Sequence, residues 1–352
     1  MKTLKCIAIV TFAFAAGVLT QFACQHNAVT PPDDNPPPPN DTTDVIDTIP
    51  VYDEPCVPLP LDDTVQGKIL FTSRREGDHA QLFVMNPDGS DIQQLTFGDY
   101  SSTSGRWSKD GTKIVFRSDS IRTTLGQGLY VMNADGSGMR GIRSPEFSTR
   151  LPLIGTQPDW APDGERIVYL GCFNCDPFPE HHLFIVNIDG TGLQRIDHTE
   201  EVPVGGVEPS WSPDGTKIAF SGGGEIYIIN ANGANLRRLG LSRPTSGIAW
   251  SPDGCKISFF SSAETNRWGE LFVFDLRTKT VSQITTHNTN ENFLRPRWSP
   301  DGQKLVFYSS TTDGTNRKFI YTVNLDGTGL KRILDDPTAS SPDWSWSEPG
   351  NE

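Results

Sequence analysis

The segment 171–182, GCFNCDPFPEHH, is the stretch whose residue types read as chemistry. Cys172 and Cys175 form a C-x-x-C pair, and His181 with His182 closes the segment. Thiolates and imidazoles together suit a metal, while a C-x-x-C pair alone suits redox catalysis or a structural disulfide. A catalytic dithiol sits at a helix start, where its thiolate is stabilised, and no helix is expected here. Asp176 rather than His follows Cys175, which excludes covalent haem attachment. A zinc site would need two adjacent histidines at a strand start to face one ion, against the alternation of strand side chains. The spacing therefore favours a Cys172–Cys175 disulfide over a metal site, and either over free thiols.

Other catalytic signatures are missing. The chain has no G-x-S-x-G nucleophile elbow and no H-E-x-x-H. Its N-x-D-G segments at Asn86, Asn133, Asn187 and Asn324 carry too few oxygens for a calcium loop and read as hairpin tips.

What positions the GCFNC segment is a repeat. A tryptophan precedes a turn at WSKDG (Trp107), WAPDG (Trp160) and WSPDG (Trp211, Trp250, Trp298). Each turn leads into a short apolar run such as KIVF or KLVF, then a second run such as LYVMNADG, then a third such as MRGIR. Runs this short, rich in Ile, Val, Phe and Tyr and bounded by Asp-Gly, are strands joined by tight hairpins. Each unit is a four-stranded antiparallel sheet, with strands here lettered A to D in chain order. Near-continuous apolar runs imply burial on both faces, so the units must stack. Strands B, C and D recur six times, and the missing sixth A strand is supplied by SPDW before the C-terminus. The expected fold is all-β: a six-bladed propeller over residues 61–348, closed by the C-terminal strand completing the first blade.

The W-S-P-D-G-x-K-[IL]-x-F pattern with its following N-x-D-G resembles the propeller repeats of the TolB family over about residues 66–348. The resemblance implies a propeller in a periplasmic, cell-envelope setting. TolB carries a further α/β domain ahead of its propeller, where this chain has a different segment. The family's role between the Tol system and peptidoglycan-associated lipoprotein is therefore not carried over. A weaker likeness to propellers of prolyl oligopeptidase relatives lacks the nucleophile.

That N-terminal segment reads as an export signal and tether. Lys2 and Lys5 precede an apolar run that ends at Ala23, and Cys24 follows in TQFACQHN. Residues 1–23 resemble a bacterial lipoprotein signal peptide, with Cys24 the acylated residue. Residues 24–60, rich in Pro and Asp, cannot bury enough apolar surface to fold and are expected to be a disordered tether. A net charge of −13 argues against nucleic acid as a partner. An exported chain favours disulfides, and Cys56, Cys172, Cys175 and Cys255 are an even set beyond Cys24. Cys255 lies in an A–B turn near the start of the first blade's B strand, so a Cys56–Cys255 bridge would pin the tether to the propeller.

Function is expected on the face carrying the B–C and D–A loops, which vary between copies, rather than on the uniform Asp-Gly face. Candidate contacts there are Arg267, Trp268, Phe173, Phe178 and Phe293. The repeated tryptophans are assigned to packing between blades. The expectation is a monomeric, non-catalytic envelope protein, lipid-anchored to the outer membrane. It would use no cofactor and bind a protein, peptide or glycan on its loops. The alternative is a metal-dependent carbohydrate-active lyase or hydrolase, with His181, His182 and His198 of the third blade as its metal ligands.

Overall fold

A computed structural model describes residues 56, 59, 67–119, 128–145, 153, 155–172, 181–196, 208–241, 245–262, 269–286 and 291–346. The chain divides into two units, Met1–Thr43 and Asp44–Glu352, and all described residues belong to the second. The signal 1–23, Cys24 and the tether apart from Cys56 and Leu59 lie outside the described residues.

Every regular element described is a strand, and the strands form six four-stranded antiparallel sheets. Blade 1 holds β1 (Ile69–Ser73), β2 (Gln81–Met85) and β3 (Gln93–Gln94). Blade 2 holds β4 (Ser102–Trp107), β5 (Lys113–Ser118), β6 (Gly128–Asn133) and β7 (Arg140–Gly141). Blade 3 holds β8 (Gly155–Trp160), β9 (Arg166–Cys172), β10 (His181–Asn187) and β11 (Gln194–Arg195). Blade 4 holds β12 (Ser210–Trp211), β13 (Lys217–Gly222), β14 (Glu225–Asn230) and β15 (Arg237–Arg238). Blade 5 holds β16 (Thr245–Trp250), β17 (Lys256–Ser262), β18 (Gly269–Asp275) and β19 (Thr280–Gln283). Blade 6 holds β20 (Glu291–Trp298), β21 (Lys304–Thr311), β22 (Lys318–Asn324) and β23 (Lys331–Asp335). The last strand, β24 (Ser340–Trp344), pairs with β1 and completes blade 1, as the repeat count requires.

Six apolar clusters form the core, and each lies between two blades rather than inside one. The tryptophan of the A strand is the shared member. Trp107 joins Leu70 and Leu82 of blade 1 to Ile114 and Phe116 of blade 2. Trp344 joins Val306 and Ile320 of blade 6 to Ile69 and Phe71 of blade 1. A single blade has two apolar faces and no interior of its own, so stacking is the only way to bury them. The D strands are much shorter than the apolar pattern suggests, only two residues in blades 1 to 4. They lie on the wet rim, where fewer apolar contacts hold a longer strand in place.

The A–B turns owe their uniformity to local hydrogen bonds. The Ser108 hydroxyl donates to Asp110 (2.6 Å) and accepts from the Lys113 amide (2.9 Å). Asp110 also accepts from the Thr112 amide (3.0 Å). Ser212 with Asp214 and Ser299 with Asp301 repeat the arrangement. The N-x-D-G tips close on themselves in the same way: Asp135 accepts from the Ser137 amide, and Asn133 donates to the Ser137 hydroxyl. Gly190 in one such tip has φ 91°, and a Cβ there would lie 1.6 Å from the Arg143 carbonyl oxygen of blade 2. The tip presses on the neighbouring blade, and only glycine combines that dihedral with that approach.

A disulfide joins Cys56 to Cys255, with Cα atoms 5.5 Å apart. The Leu59 side chain lies against Gly302 in the next A–B turn. Cys56 and Leu59 thus lie on the short-turn face, at blades 5 and 6.

Candidate functional site

The inner strands carry an irregularity that recurs around the ring. Pairing with the B strand slips between Thr103 and Arg106, Thr156 and Asp159, Ser246 and Ala249, and Leu294 and Arg297. The residue three before each of five tryptophans takes a positive φ: Ser104 (55°), Gln157 (53°), Gly247 (67°), Arg295 (54°) and Ser341 (52°). This is a bulge with a left-handed residue, which bends the strand and re-aims side chains. A left-handed conformation costs a non-glycine residue about 1–2 kcal/mol. Four non-glycine residues keep it, because the surrounding ring over-determines their backbone.

Two layers of side chains converge on the axis as a result. The layer just before the tryptophans reads, from blade 1 round to blade 6, Asp343, Arg106, Asp159, Ser210, Ala249 and Arg297. Asp343 accepts from the Trp107 amide (2.8 Å), Asp159 from the Trp211 amide (2.7 Å), and Ser210 from the Trp250 amide (3.1 Å). Each of these bonds crosses from one blade to the next. Arg297 donates to the Ile248 carbonyl (2.7 Å) and lies 3.7 Å from Asp343. Where the layer presents Arg106 or Ala249, the next tryptophan ring instead donates to that residue's carbonyl: Trp160 to Arg106 and Trp298 to Ala249, both at 3.0 Å. In the second layer, Arg295 pairs with Glu208 (2.5 Å) and donates to Ser341 (3.0 Å). Glu208 belongs to blade 4 and Arg295 to blade 6, so this contact passes over Gly247 of blade 5.

Three arginines and three acids thus meet in the middle of the propeller, and their charges balance. Arg106 is 3% exposed; burial, reinforced by the nearby Arg297 charge, pulls it down to about 10. Burial pushes Asp159 up to about 6, against the pull of Arg297 and the Trp211 amide. Asp159 borders an internal cavity, so it keeps some accessible surface although protein walls it in. Burial raises Asp343 as well.

The sign of the pH effect follows. Folded Asp159 holds its proton more tightly than the unfolded chain does, so stability falls as pH rises from about 4 to about 6. Asp343 adds in the same direction. The tip aspartates Asp88, Asp135 and Asp189 act oppositely and at lower pH. Side-chain hydrogen bonds from Ser90, Ser137 and Thr191 hold them below their ordinary value, so their contribution is lost only as pH falls through the acid range. Asp159→Asn is expected to flatten the slope between about pH 4 and 6 and to raise stability at neutral pH by about 1–3 kcal/mol. Urea unfolding across that pH range reads it; a profile superimposable on the parent's would refute the assignment.

The cavity beside this layer is small, about 70 Å³, and is bordered by Trp107, Trp211, Arg297 and Trp344. The indole N–H groups of Trp107, Trp211 and Trp344 have no hydrogen-bond partner among the described residues. The space suits several waters or a small acceptor group. Its mouth on the short-turn face is crossed by Lys109, which stands where Pro162, Pro213, Pro252 and Pro300 stand in other blades. Lys109 donates to the Pro213 carbonyl (3.1 Å) and lies 5.2 Å from the centre of the Trp346 ring.

The residues expected from sequence to form the site fare unevenly. Phe173, Phe178, Arg267, Trp268, Cys175 and His198 lie outside the described residues. Phe293 is no surface contact: it is 1% exposed in β20, with ring centroids 4.8 Å from Phe307 and 5.7 Å from Tyr321. The D–A loop ends earlier than its composition suggests, and strand alternation turns Phe293 into the core between blades 5 and 6. His181 pairs across the sheet with Cys172, and His182 with Gly171. The His182 ring is nearly buried and stands edge-on to Phe184 at 6.5 Å. Among the described residues no three His, Cys, Asp or Glu side chains are grouped to hold a metal. The axial layers were not anticipated from the sequence; their signal is the charged residue directly before several of the tryptophans.

No family model matches the chain. The TolB homologue of Chlorobium luteolum is 30% identical over 285 residues, covering 80% of this chain and 60% of that protein. The chain is a TolB-like β-propeller. It spans 60% of the length of that homologue. TolB from Acinetobacter baumannii superposes with a TM-score of 0.64 at 20% identity, over 79% of this chain and 66% of that one. An oligogalacturonate lyase from Vibrio parahaemolyticus gives a TM-score of 0.52 at 17% identity, over 76% of this chain and 74% of the lyase. The TolB-like propeller supports binding and scaffolding in general.

Proposed function

We propose that this TolB-like propeller is a non-catalytic, exported envelope protein that binds a protein, peptide or glycan on its long-loop face. Acylated Cys24 tethers it to the outer membrane. One observation carries this: the two faces differ in kind. The A–B and C–D turns bond their polar groups to themselves, while the opposite face carries loops that share no sequence. The position of Cys56 and Leu59 adds support, because both lie against A–B turns on the short-turn face, away from the long loops.

Site-specific photo-crosslinking in intact cells tests the binding face. Probes at Asp78 and Asp313 in the long loops are expected to capture an envelope ligand, and probes at Asp88 and Asp135 in the short turns are not. The reverse pattern would overturn the assignment. Metabolic lipid labelling that persists in Cys24→Ser would remove the anchor. A stoichiometric metal in untagged protein, lost on substituting His181 and His182, would establish the metal-dependent carbohydrate-active alternative instead.

A further inference from the structure

One sector of the long-loop face is described without a break: the β1–β2 loop, the β21–β22 loop and the β23–β24 turn. Here blades 1 and 6 meet. Tyr308 of blade 6 packs on the apolar cluster that contains Ile69 and Phe71 of blade 1. The Lys318 amine lies over the Tyr308 ring, 5.9 Å from its centre. Arg74 follows directly after β1, and its amide donates to the Thr338 hydroxyl (2.9 Å) in the turn before β24. Arg295 reaches the same corner from the inner strand, next to Leu294, which pairs with Tyr308.

The charges in this notch do not balance. Arg295 is compensated by Glu208, and Arg75 by Asp336 at 3.8 Å. Neither Lys318 nor Arg74 pairs with a carboxylate among the described residues. Burial lowers the Lys318 amine, and the Arg74 and Arg295 charges lower it further, so the neighbouring charges that act on it are positive. In a chain of net charge −13, two uncompensated cations at one blade junction are the reverse of the general trend. A half-buried ammonium and an exposed guanidinium at one blade junction can make strong, charge-assisted bonds to an oxyanion.

We infer that the notch between blades 6 and 1, formed by Lys318 and Arg74, binds a side-chain carboxylate of an acidic peptide segment. The inference rests on the long-loop face being the binding face, and it names the chemistry of the ligand there. A peptide is favoured over an acidic sugar because the ring at the notch, Tyr308, already has its face under the Lys318 amine. A pyranose would need that face for stacking.

The test uses the mature protein and a fluorescein-labelled peptide of alternating Glu and Gly carrying a benzophenone. Fluorescence anisotropy reads affinity. Lys318→Gln and Arg74→Gln are each expected to weaken binding about tenfold or more, as for one lost charge-assisted hydrogen bond. Lys318→Arg should restore it, and Lys331→Gln on the outer strand should leave it unchanged. Thermal unfolding checks that the variants stay folded. Absence of binding, or binding by Lys318→Gln and Arg74→Gln equal to the parent's, overturns the notch. Notch-dependent binding of oligogalacturonate or inorganic phosphate without the peptide overturns the peptide assignment. Cross-links to long loops away from the notch reject it and leave the binding face standing. Cross-links to the Asp-Gly turns reject both.

Discussion

Deleting Ser340–Trp344 is expected to abolish cooperative folding. The strand supplies the inner edge of blade 1, pairing Ile69 with Trp344, Leu70 with Asp343 and Thr72 with Ser340. Without it, β1 becomes an open edge with buried apolar faces, a template for aggregation. Trp344, 2% exposed, fills the seam between blades 6 and 1. Asp343 accepts from the Trp107 amide across to blade 2 and faces Arg297 of blade 6. Point substitutions separate these contributions. Trp344→Ala is expected to cost about 3–5 kcal/mol through a cavity. Asp343→Ala is expected to cost about 1–3 kcal/mol by leaving the buried Trp107 amide without its acceptor. Denaturant unfolding of the single variants, and sedimentation of the deletion, check all three. A monomeric deletion with the parent's midpoint would mean that β24 does not close the ring.

Breaking the Cys56–Cys255 bridge should destabilise the propeller almost as strongly. The bridge spans a sequence separation of 199, from ahead of blade 1 to the A–B turn of blade 5. In the unfolded chain it forbids the separation of four consecutive blades from the fifth. Chain-entropy arguments and native-disulfide removals place such a constraint at about 2–5 kcal/mol. The Cys56→Ser, Cys255→Ala double variant should therefore unfold at lower denaturant than the parent, and reductant should shift only the parent. Cys255 is 2% exposed, so reduction should require local opening and proceed slowly under native conditions. Coincident unfolding curves with and without reductant would contradict a stabilising role.

Strand identity, blade number and ring closure were legible in the sequence, for physical reasons. The Trp–Ser–Pro–Asp–Gly turn and the Asn–x–Asp–Gly tip are held by hydrogen bonds within five residues, so their chemistry shows in any one copy. Repetition then multiplies a weak local signal. Phe293 marks where that logic fails. Its surroundings, NENFLRP, read as loop, yet β20 extends eight residues from Glu291 to Trp298. Pairing with an equally long β21 decides that length, and the pairing is not visible in NENFLRP itself.

The axial charges and the basic notch belong to the same second category. Arg106, Asp159, Glu208, Arg297 and Asp343 stand far apart along the chain, each in a stretch that reads as ordinary. Lys318, at the start of β22, and Arg74, just after β1, are likewise two cations separated by most of the sequence. The repeating unit, the number of copies, the closing strand and the uniform face can all be read from the residue order, because each follows from contacts inside a few residues or from counting. Which charges meet is settled only when the blades stack. Stacking brings six distant strands to one axis, a recurring bulge aims their side chains inward, and closure sets the last blade beside the first.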